Sequence, residues 1–150
     1  MKISYKTDYA FKTLLELAVS YDKGVFSIQE LAKKGDIPDK FLEQVLLMLK
    51  KGGFVDSKRG VNGGYFLAKA PDKITIGEVI RFIEGPIEPI SCVGKENYEE
   101  CKDFEACVFR DIWGQVYTAT SLVIDTITFA ELARRVEARQ KEKIPHTYSI

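Results

Sequence analysis

The fold is decided by residues 27–51, which read SIQELAKKGDIPDKFLEQVLLMLKK. Ser27 and Glu30 have the spacing of a capping box, in which each side chain satisfies a backbone amide at the start of a helix. The short connection Gly35–Pro38 ends this helix and admits a second one, because proline is tolerated in a first helical turn. Two helices joined by a turn this short are typical of a helix-turn-helix.

The second helix of the pair is predicted to run to about Lys51, where Gly52 and Gly53 end it. Its apolar residues recur with the helical period and predict a buried stripe: Phe41, Leu42, Val45, Leu46 and Leu49. The same period places the remaining residues on an open face: Lys40, Glu43, Gln44, Leu47 and Lys50. This helix therefore has one side for the core and one mainly polar side.

Two short strands follow, predicted at residues 54–58 and 65–68. The segment between them, residues 59–64, contains three glycines and an asparagine, which supply turn conformations. A hairpin directly after a helix-turn-helix is the wing of a winged helix-turn-helix.

Helices are predicted on both sides of this unit. A first helix is expected from about Lys6 to Tyr21, and Thr75 with Glu78 forms a second capping box that opens a fourth helix. Further along, an apolar stripe predicts a helix over residues 108–124, and Thr128 caps another. The expected fold is mainly α with a small β-hairpin wing, in the form of a winged helix-turn-helix plus a long dimerisation helix.

The composition is that of an ordinary globular protein, with 150 residues, 45% apolar and 29% charged. Residues 1–70 hold 12 Lys+Arg against 8 Asp+Glu, a net charge of +4, and residues 71–150 hold 10 against 14, a net charge of −4. Neither a membrane-spanning run nor a secretory signal is evident, which favours a cytoplasmic protein without a membrane partner. The sequence also lacks the motif of a catalytic triad, a Walker loop or a paired-carboxylate pocket, so an enzyme is not expected.

Periodicity disappears between Gly85 and Cys107, in an acidic loop that holds all three cysteines. Cys92, Cys101 and Cys107 follow the spacing C-x8-C-x5-C. A loop this long inside a compact domain is generally functional or disordered, and the cysteines favour a function. An odd number of cysteines in a cytoplasmic protein argues against a disulfide framework, so thiolate chemistry is expected instead.

The chain resembles the Rrf2 family of bacterial winged-helix regulators over nearly its whole length. The resemblance is carried by an ordered set of segments: residues 1–4 and 8–10, 27–32, 37–46, 55–60, 63–68, 76–80 and 126–132. It implies a transcriptional regulator that binds double-stranded DNA as a homodimer. The recognition helix would read the major groove and the wing would reach the minor groove.

The residues expected at these contacts follow from their positions. Gln44 can pair with adenine, Glu43 can accept a hydrogen bond from cytosine, and Lys40 can meet guanine or phosphate. Arg59 on the wing suits a narrow A·T-rich minor groove. Phosphates are expected to be held by Lys50, Lys51, Lys58 and the amide end of the second helix, from Ser27 to Gln29.

Members of the family carry three cysteines after the fourth helix, and the resemblance therefore implies an iron–sulfur cluster held by Cys92, Cys101 and Cys107. A [4Fe-4S] cluster is favoured and a [2Fe-2S] cluster is possible. Structural zinc, a free-thiol redox switch and three inert cysteines are the alternatives. Zinc usually takes closely spaced cysteine pairs, and the acids around the loop disfavour burial of the cysteines as core filler.

The fourth ligand is expected to come from outside the loop. One branch of the family has a histidine three residues after the last cysteine, but this sequence has Arg110 there, and its single histidine is His146 in the tail. In the nitric-oxide-sensing branch a carboxylate at the start of the first helix comes from the partner subunit, and Asp8 stands at that position. Asp8 could equally be an acid in a helical first turn, which the helix dipole favours, but of the two roles we favour ligation by Asp8 of the partner subunit.

The helix after the loop carries the chain's only tryptophan on its apolar stripe. A winged-helix unit of this size has little core left to cover that stripe, so pairing with a second copy is expected. The residues predicted to pair are Ile112, Trp113, Val116, Thr120 and Val123. Twofold symmetry then predicts a palindromic operator. The expected division is a DNA-binding unit at 1–84, a cluster-binding loop at 85–107, dimerisation helices at 108–143 and a tail at 144–150.

Overall fold

In the computed structural model, residues 2–142 are described, and within them six α-helices surround a two-stranded antiparallel sheet. The elements are α1 (Tyr5–Val19), α2 (Ile28–Gly35), α3 (Asp39–Lys51), β1 (Val55–Lys58), β2 (Gly64–Leu67), α4 (Ile76–Glu84), α5 (Val108–Thr126) and α6 (Phe129–Glu142). Short 3-10 turns lie at Tyr21–Lys23, Pro71–Lys73 and Ser91–Val93. The architecture confirms the predicted winged helix-turn-helix and its long C-terminal helix.

Local capping explains where these helices begin. The hydroxyl of Ser27 accepts a hydrogen bond from the Glu30 amide at 3.2 Å, and the Glu30 carboxylate accepts one from the Ser27 amide at 2.7 Å, so the predicted capping box is present. At Thr75 half of the predicted box forms. Its hydroxyl accepts from the Glu78 amide at 3.1 Å, but the Glu78 carboxylate is taken by Lys69 instead.

The first helix is the centre of the packing. It contacts α2, α3, α4 and α6, and its residues Ala10 and Leu14 are fully buried. The inner face of α3 packs into the same core through Leu42, Leu46 and Leu49, each 0% exposed. This buried contact fixes how α3 presents its outer face.

The sixth helix returns to this core. Its residues Phe129 and Ala133 are buried in the cluster that contains α1, and the assignment of α6 to the dimerisation helices stays a prediction. Backbone hydrogen bonds join its start to the start of α4. The Phe129 amide donates to the Ile74 carbonyl at 3.0 Å, and the Ile76 amide donates to the Ile127 carbonyl at 3.1 Å. The junction of α5 and α6 is thereby locked to the start of α4.

The wing is a four-residue ladder from Val55 opposite Leu67 to Lys58 opposite Gly64. A third segment pairs with it, because the amides and carbonyls of Phe26 and Tyr65 exchange hydrogen bonds at 3.0 and 2.8 Å. A side chain at position 64 would have its Cβ 2.6 Å from the Phe26 carbonyl oxygen, so this approach requires glycine. The wing is therefore anchored to the chain that leads into α2.

One predicted core residue is wrong. Phe41 was placed on the buried stripe of α3, but it is 54% exposed. It lies in the first turn of α3 and faces the start of α1, where Tyr5, Tyr9 and Gln44 border an open groove instead of a filled core. The Phe41 and Tyr9 rings still meet, with centroids 6.0 Å apart.

Two adjacent leucines of α3 test which side of this helix faces the core. We predict that Leu46→Ala lowers the free energy of unfolding by about 2–5 kcal/mol, because it leaves a cavity in the core. Leu47→Ala is the matched control, since Leu47 is 66% exposed and its loss should cost less than about 0.5 kcal/mol. Urea unfolding at one fixed protein concentration measures both, and equal losses would contradict this orientation of α3.

Candidate DNA-binding interface and cysteine loop

The outer face of α3 is open to solvent. Lys40, Glu43 and Gln44 are all exposed, and they lie near the start of the helix where a recognition helix meets base edges. Leu47 adds a large apolar side chain one turn further along. The prediction of an open face on α3 is confirmed.

The wing places its charges at the far end of the hairpin. Lys58 ends β1 and Arg59 follows it, and both are exposed and free of ion pairs within residues 2–142. Gly60 next to them has φ of +115°, a conformation that favours glycine and turns the chain back. Both cations are thus available to an external anion.

Lys50 is already engaged within the protein. Its Nζ donates to the Ser57 hydroxyl at 2.5 Å and lies 3.3 Å from Oδ1 of Asp56. The pKa of Asp56 is lowered, mainly by a hydrogen bond from the Ser57 amide and then by Lys50. The end of α3 is therefore connected to the wing, and Lys50 would have to share this contact with any phosphate.

At the start of α2 the Ser27 hydroxyl is likewise occupied by the capping box, while Gln29 is exposed. The hydrogen bonds from Ser27 also lower the pKa of Glu30. Of these two residues predicted to hold phosphate, Gln29 is the one whose side chain points freely into solvent.

The three cysteines have different environments. Cys92 is 6% exposed in a 3-10 turn, Cys101 is exposed, and Cys107 is partly buried as the N-cap of α5. The burial of Cys92 contradicts the expectation that the acidic loop keeps its cysteines out of the core. The reason is that the chain after Pro89 folds back against α5, whose side chains line a cavity together with Cys92.

No group of three His, Cys, Asp or Glu side chains converges as a metal site within residues 2–142. A single protomer therefore does not gather Cys92, Cys101, Cys107 and its own Asp8. Asp8 lies in the first turn of α1, half exposed, where its carboxylate forms an ion pair with Lys12 at 3.0 Å. His146 lies outside the described residues.

Arg110 occupies the position where one branch of the family has a histidine. Its guanidinium stacks on Phe104 at 3.8 Å, and it lines the cavity beside Cys92. Its Nε is shielded from solvent and has no hydrogen-bond partner among the described residues. A buried donor of this kind is costly to leave unpaired.

The fifth helix exposes a row of large apolar side chains. Phe109, Ile112, Trp113, Val116 and Val123 are 40–63% exposed, and Thr120 lies among them. Of the residues of α5, Ile124 is buried within the protomer. An exposed apolar surface of this extent is typical of a protein–protein contact.

Comparison with known proteins identifies the family. The family model Rrf2, described as an iron-dependent transcriptional regulator, matches residues 3–135. The chain belongs to the Rrf2 family. An rrf2-like HTH-type transcriptional regulator of Rhodobacter capsulatus is 38% identical over 136 residues, which is 87% of this chain and 91% of that protein.

Two solved structures of Rrf2 regulators share the fold. The global cysteine regulator CymR of Bacillus subtilis gives a TM-score of 0.77 at 35% identity, over 90% of this chain and 98% of that one. T. potens IscR gives a TM-score of 0.73 at 29% identity, over 93% and 91% of the two chains. The named relatives are transcriptional regulators and not enzymes, and this Rrf2 protein is accordingly a transcriptional regulator that binds DNA.

No helix within its residues 2–142 is long and apolar enough to cross a membrane.

Proposed function

We propose that this Rrf2 protein is a homodimeric regulator that reads a palindromic operator and responds through an iron–sulfur cluster on its cysteine loop. The observation that carries the proposal is the placement of the three cysteines. They lie on one segment between α4, which belongs to the DNA-binding unit, and α5, which exposes the apolar face. A chemical change in this segment is therefore close to both the reading unit and the dimer contact.

DNA recognition is assigned to the open face of α3 and to the wing. Gln44 would pair with adenine, Glu43 would accept from cytosine, and Lys40 would donate to guanine or phosphate. Arg59 would enter the minor groove while Lys58 contacts phosphate. The exposure of all five side chains supports these roles. The further phosphate contacts would be Lys50, Lys51 and the amide end of α2, from Ser27 to Gln29.

The dimer is assigned to α5. Its row of exposed apolar residues would be covered by the same row of a second copy, as a twofold contact requires. The five residues proposed for the contact are Ile112, Trp113, Val116, Thr120 and Val123. Because α6 and α4 hold the end of α5 to the core, the two reading units would keep a defined spacing on the operator.

The donor types fit an iron–sulfur cluster. Thiolates of Cys92, Cys101 and Cys107 are its ordinary ligands, and a carboxylate from Asp8 of the partner subunit would complete a [4Fe-4S] or, less favoured, a [2Fe-2S] site. The cavity beside Cys92 is also lined by the cationic residue Arg110, and this supports an electron-rich occupant beside the loop. When bound, such a cluster supplies reversible redox chemistry and an iron that reacts with NO or oxygen. Since no such group converges within residues 2–142, the loop has to rearrange to gather the three thiols.

Thiol oxidation without a metal is the second candidate. The exposure of Cys101 and the partial exposure of Cys107 would let an oxidant reach them, and the two lie on the same loop. The likeness to Staphylococcus aureus CymR, whose oxidised form has a solved structure, agrees with this possibility. Binding of a metabolic enzyme is a further cluster-free mode of signalling.

The wing arginine provides the first functional test. We predict that Arg59→Ala weakens operator binding by about 1–3 kcal/mol and relaxes the preference for A·T pairs, since Arg59 is proposed to read the minor groove. Arg139→Ala removes the same charge from the exposed end of α6 and should leave binding within about 0.5 kcal/mol. Fluorescence anisotropy on DNA duplexes selected by the wild-type protein measures both; an unchanged footprint and affinity for the Arg59 variant would refute the assignment.

Two adjacent residues of α5 test the dimer. We predict that Val116→Glu dissociates the protein into monomers of 17.0 kDa, because a carboxylate would be buried in an apolar contact. Gln115→Glu places the same group next to the stripe and should remain dimeric. Sedimentation velocity gives the mass, and circular dichroism checks that both variants are folded. A dimeric Val116→Glu protein would move the contact to another surface.

The cluster is tested by anaerobic purification. We predict that the protein absorbs visible light and contains bound iron and sulfide. The Cys107→Ser variant should lose the absorption, the iron and the sulfide. A colourless protein, with zinc or with no metal, would reject the cluster. In that case a mass shift or disulfide after mild oxidation would support the thiol mechanism.

Mixed dimers test whether Asp8 acts across the dimer. Asp8→Ala alone should lose most of its iron, as Cys107→Ser does. A dimer with one chain of each kind has one complete site if Asp8 comes from the partner, and no complete site if it comes from the same chain. Recovery of about half of the wild-type iron in purified mixed dimers is therefore expected. No recovery would refute ligation across the dimer.

A further inference from the structure

A group of ion pairs centred on Arg81 joins three segments that are distant in sequence. Its Nη1 and Nη2 donate to Oδ1 and Oδ2 of Asp125 at 2.5 and 3.0 Å, and its Nε lies 3.1 Å from Oε1 of Glu96. Arg81 belongs to α4, Asp125 to α5 and Glu96 to the cysteine loop. The Arg81 side chain is 22% exposed, so solvent screens these pairs less than it screens a fully exposed pair.

The chain is built to let these groups approach. A Cβ at Gly77 would lie 1.9 Å from Oδ1 of Asp125 and 2.7 Å from Nη1 of Arg81. Glycine is otherwise unfavourable within a helix, since it loses more backbone freedom than other residues. The close docking of Asp125 on α4 gives a physical reason for glycine at this position.

The other end of α4 is bound to α1. The Glu84 carboxylate accepts hydrogen bonds from the Ser4 amide at 2.9 Å and from the Thr7 hydroxyl. Hydrogen bonds from Ser4 and Thr7 lower the pKa of Glu84, so the carboxylate stays charged at neutral pH. Because α1 also packs directly on α3, α4 is connected through α1 to the recognition helix.

On the loop side, the position of Glu96 depends on how the loop is folded. Its backbone amide donates to Oε1 of Glu88 at 3.1 Å. The Glu88 side chain also lies against Gly94, where a Cβ would be 2.0 Å from its Cγ. A rearrangement of the segment that holds Cys92 would therefore move Glu96 away from Arg81.

We propose that Arg81 is a positioning residue that couples the fold of the cysteine loop to the orientation of the recognition helix α3. The proposal rests on the function proposed above in taking the cysteine loop as the sensory segment, whatever the chemistry at its thiols. With Glu96 in place, Nε of Arg81 is held and both Nη groups face Asp125. When the loop rearranges, Arg81 keeps one acidic partner, and α4 is freer to shift relative to α5. The two arrangements are the discrete states that a switch needs.

Coupling between two sites is reciprocal, so it can be read in the opposite direction. If the fold of the loop changes the orientation of α3, then DNA bound to α3 must change the fold of the loop. The experiment uses full-length protein that is reduced and freed of metal by a chelator. Alkylation of Cys101 and Cys107 by iodoacetamide is followed by mass spectrometry, with and without saturating duplex selected by the wild-type protein. We expect DNA to change the alkylation rate of the wild-type protein by about fivefold or more.

In Glu96→Gln and Arg81→Lys this DNA effect should fall below about twofold, because the link between loop and α4 is cut. Glu100→Gln is the matched control, since it removes an exposed acid of the same loop that forms no ion pair within the described residues, and it should retain the full effect. The measured quantity is the ratio of the alkylation rates with and without DNA. Saturating each variant with DNA ensures that a weaker affinity alone does not lower this ratio. A merely structural role of Arg81 would lower the melting temperature and leave the ratio unchanged.

Two results would overturn the proposal. One is a wild-type protein whose alkylation rate is the same with and without DNA, and the other is a Glu96→Gln protein with the wild-type ratio. Neither depends on the cluster, because the protein is free of metal throughout. Conversely, a protein that is colourless as purified would reject the cluster and leave this coupling standing. The two proposals can therefore fail separately.

Discussion

The burial of α1 between α2, α3 and α6 is the contact on which the rest of the structure depends. Ala10 and Leu14 are inaccessible to solvent, and the small side chain of Ala10 lets the neighbouring helices approach. Because the inner stripe of α3 is committed to this core, its outer residues have no internal partner to pack against and face solvent. The DNA-reading surface is thus a consequence of packing on the opposite side of the same helix. The α6 helix completes the contact, since Phe129 is fully buried in the same cluster.

Most of this fold could be predicted because its signals are local. The capping hydroxyls of Ser27 and Thr128 act on amides three residues away, so the chain itself marks where α2 and α6 begin. The error at Phe41 has a physical reason. Helical period gives the direction of a side chain, but whether neighbouring residues fill the space in that direction depends on tertiary structure. The bridge between Phe26 and Tyr65 was missed for the same reason, since nothing near either residue marks the other as its partner.

The candidate sites divide in the same way. The open face of α3 and the exposed arginine of the wing follow from period and turn chemistry. The contacts of Lys50 with the wing, and of Arg81 with an acid 44 residues away, join segments that the sequence gives no means of pairing. In the cysteine loop there is no period at all, so the burial of Cys92 had no local signal. Its proposed fourth donor lies on another chain, which no pattern within one loop can locate.

The charge of the loop has both a structural and an electrostatic role. Residues 86–108 carry six acids against two lysines, and two of these acids, Glu88 and Glu96, are used to fold the loop and hold Arg81. The remaining acids are exposed, and their field extends about 8 Å at physiological ionic strength. Such a field repels DNA phosphates, which directs the reading face rather than the loop toward the operator. It also disfavours anionic oxidants near the cysteines, while a small neutral molecule or a metal cation can approach without that penalty.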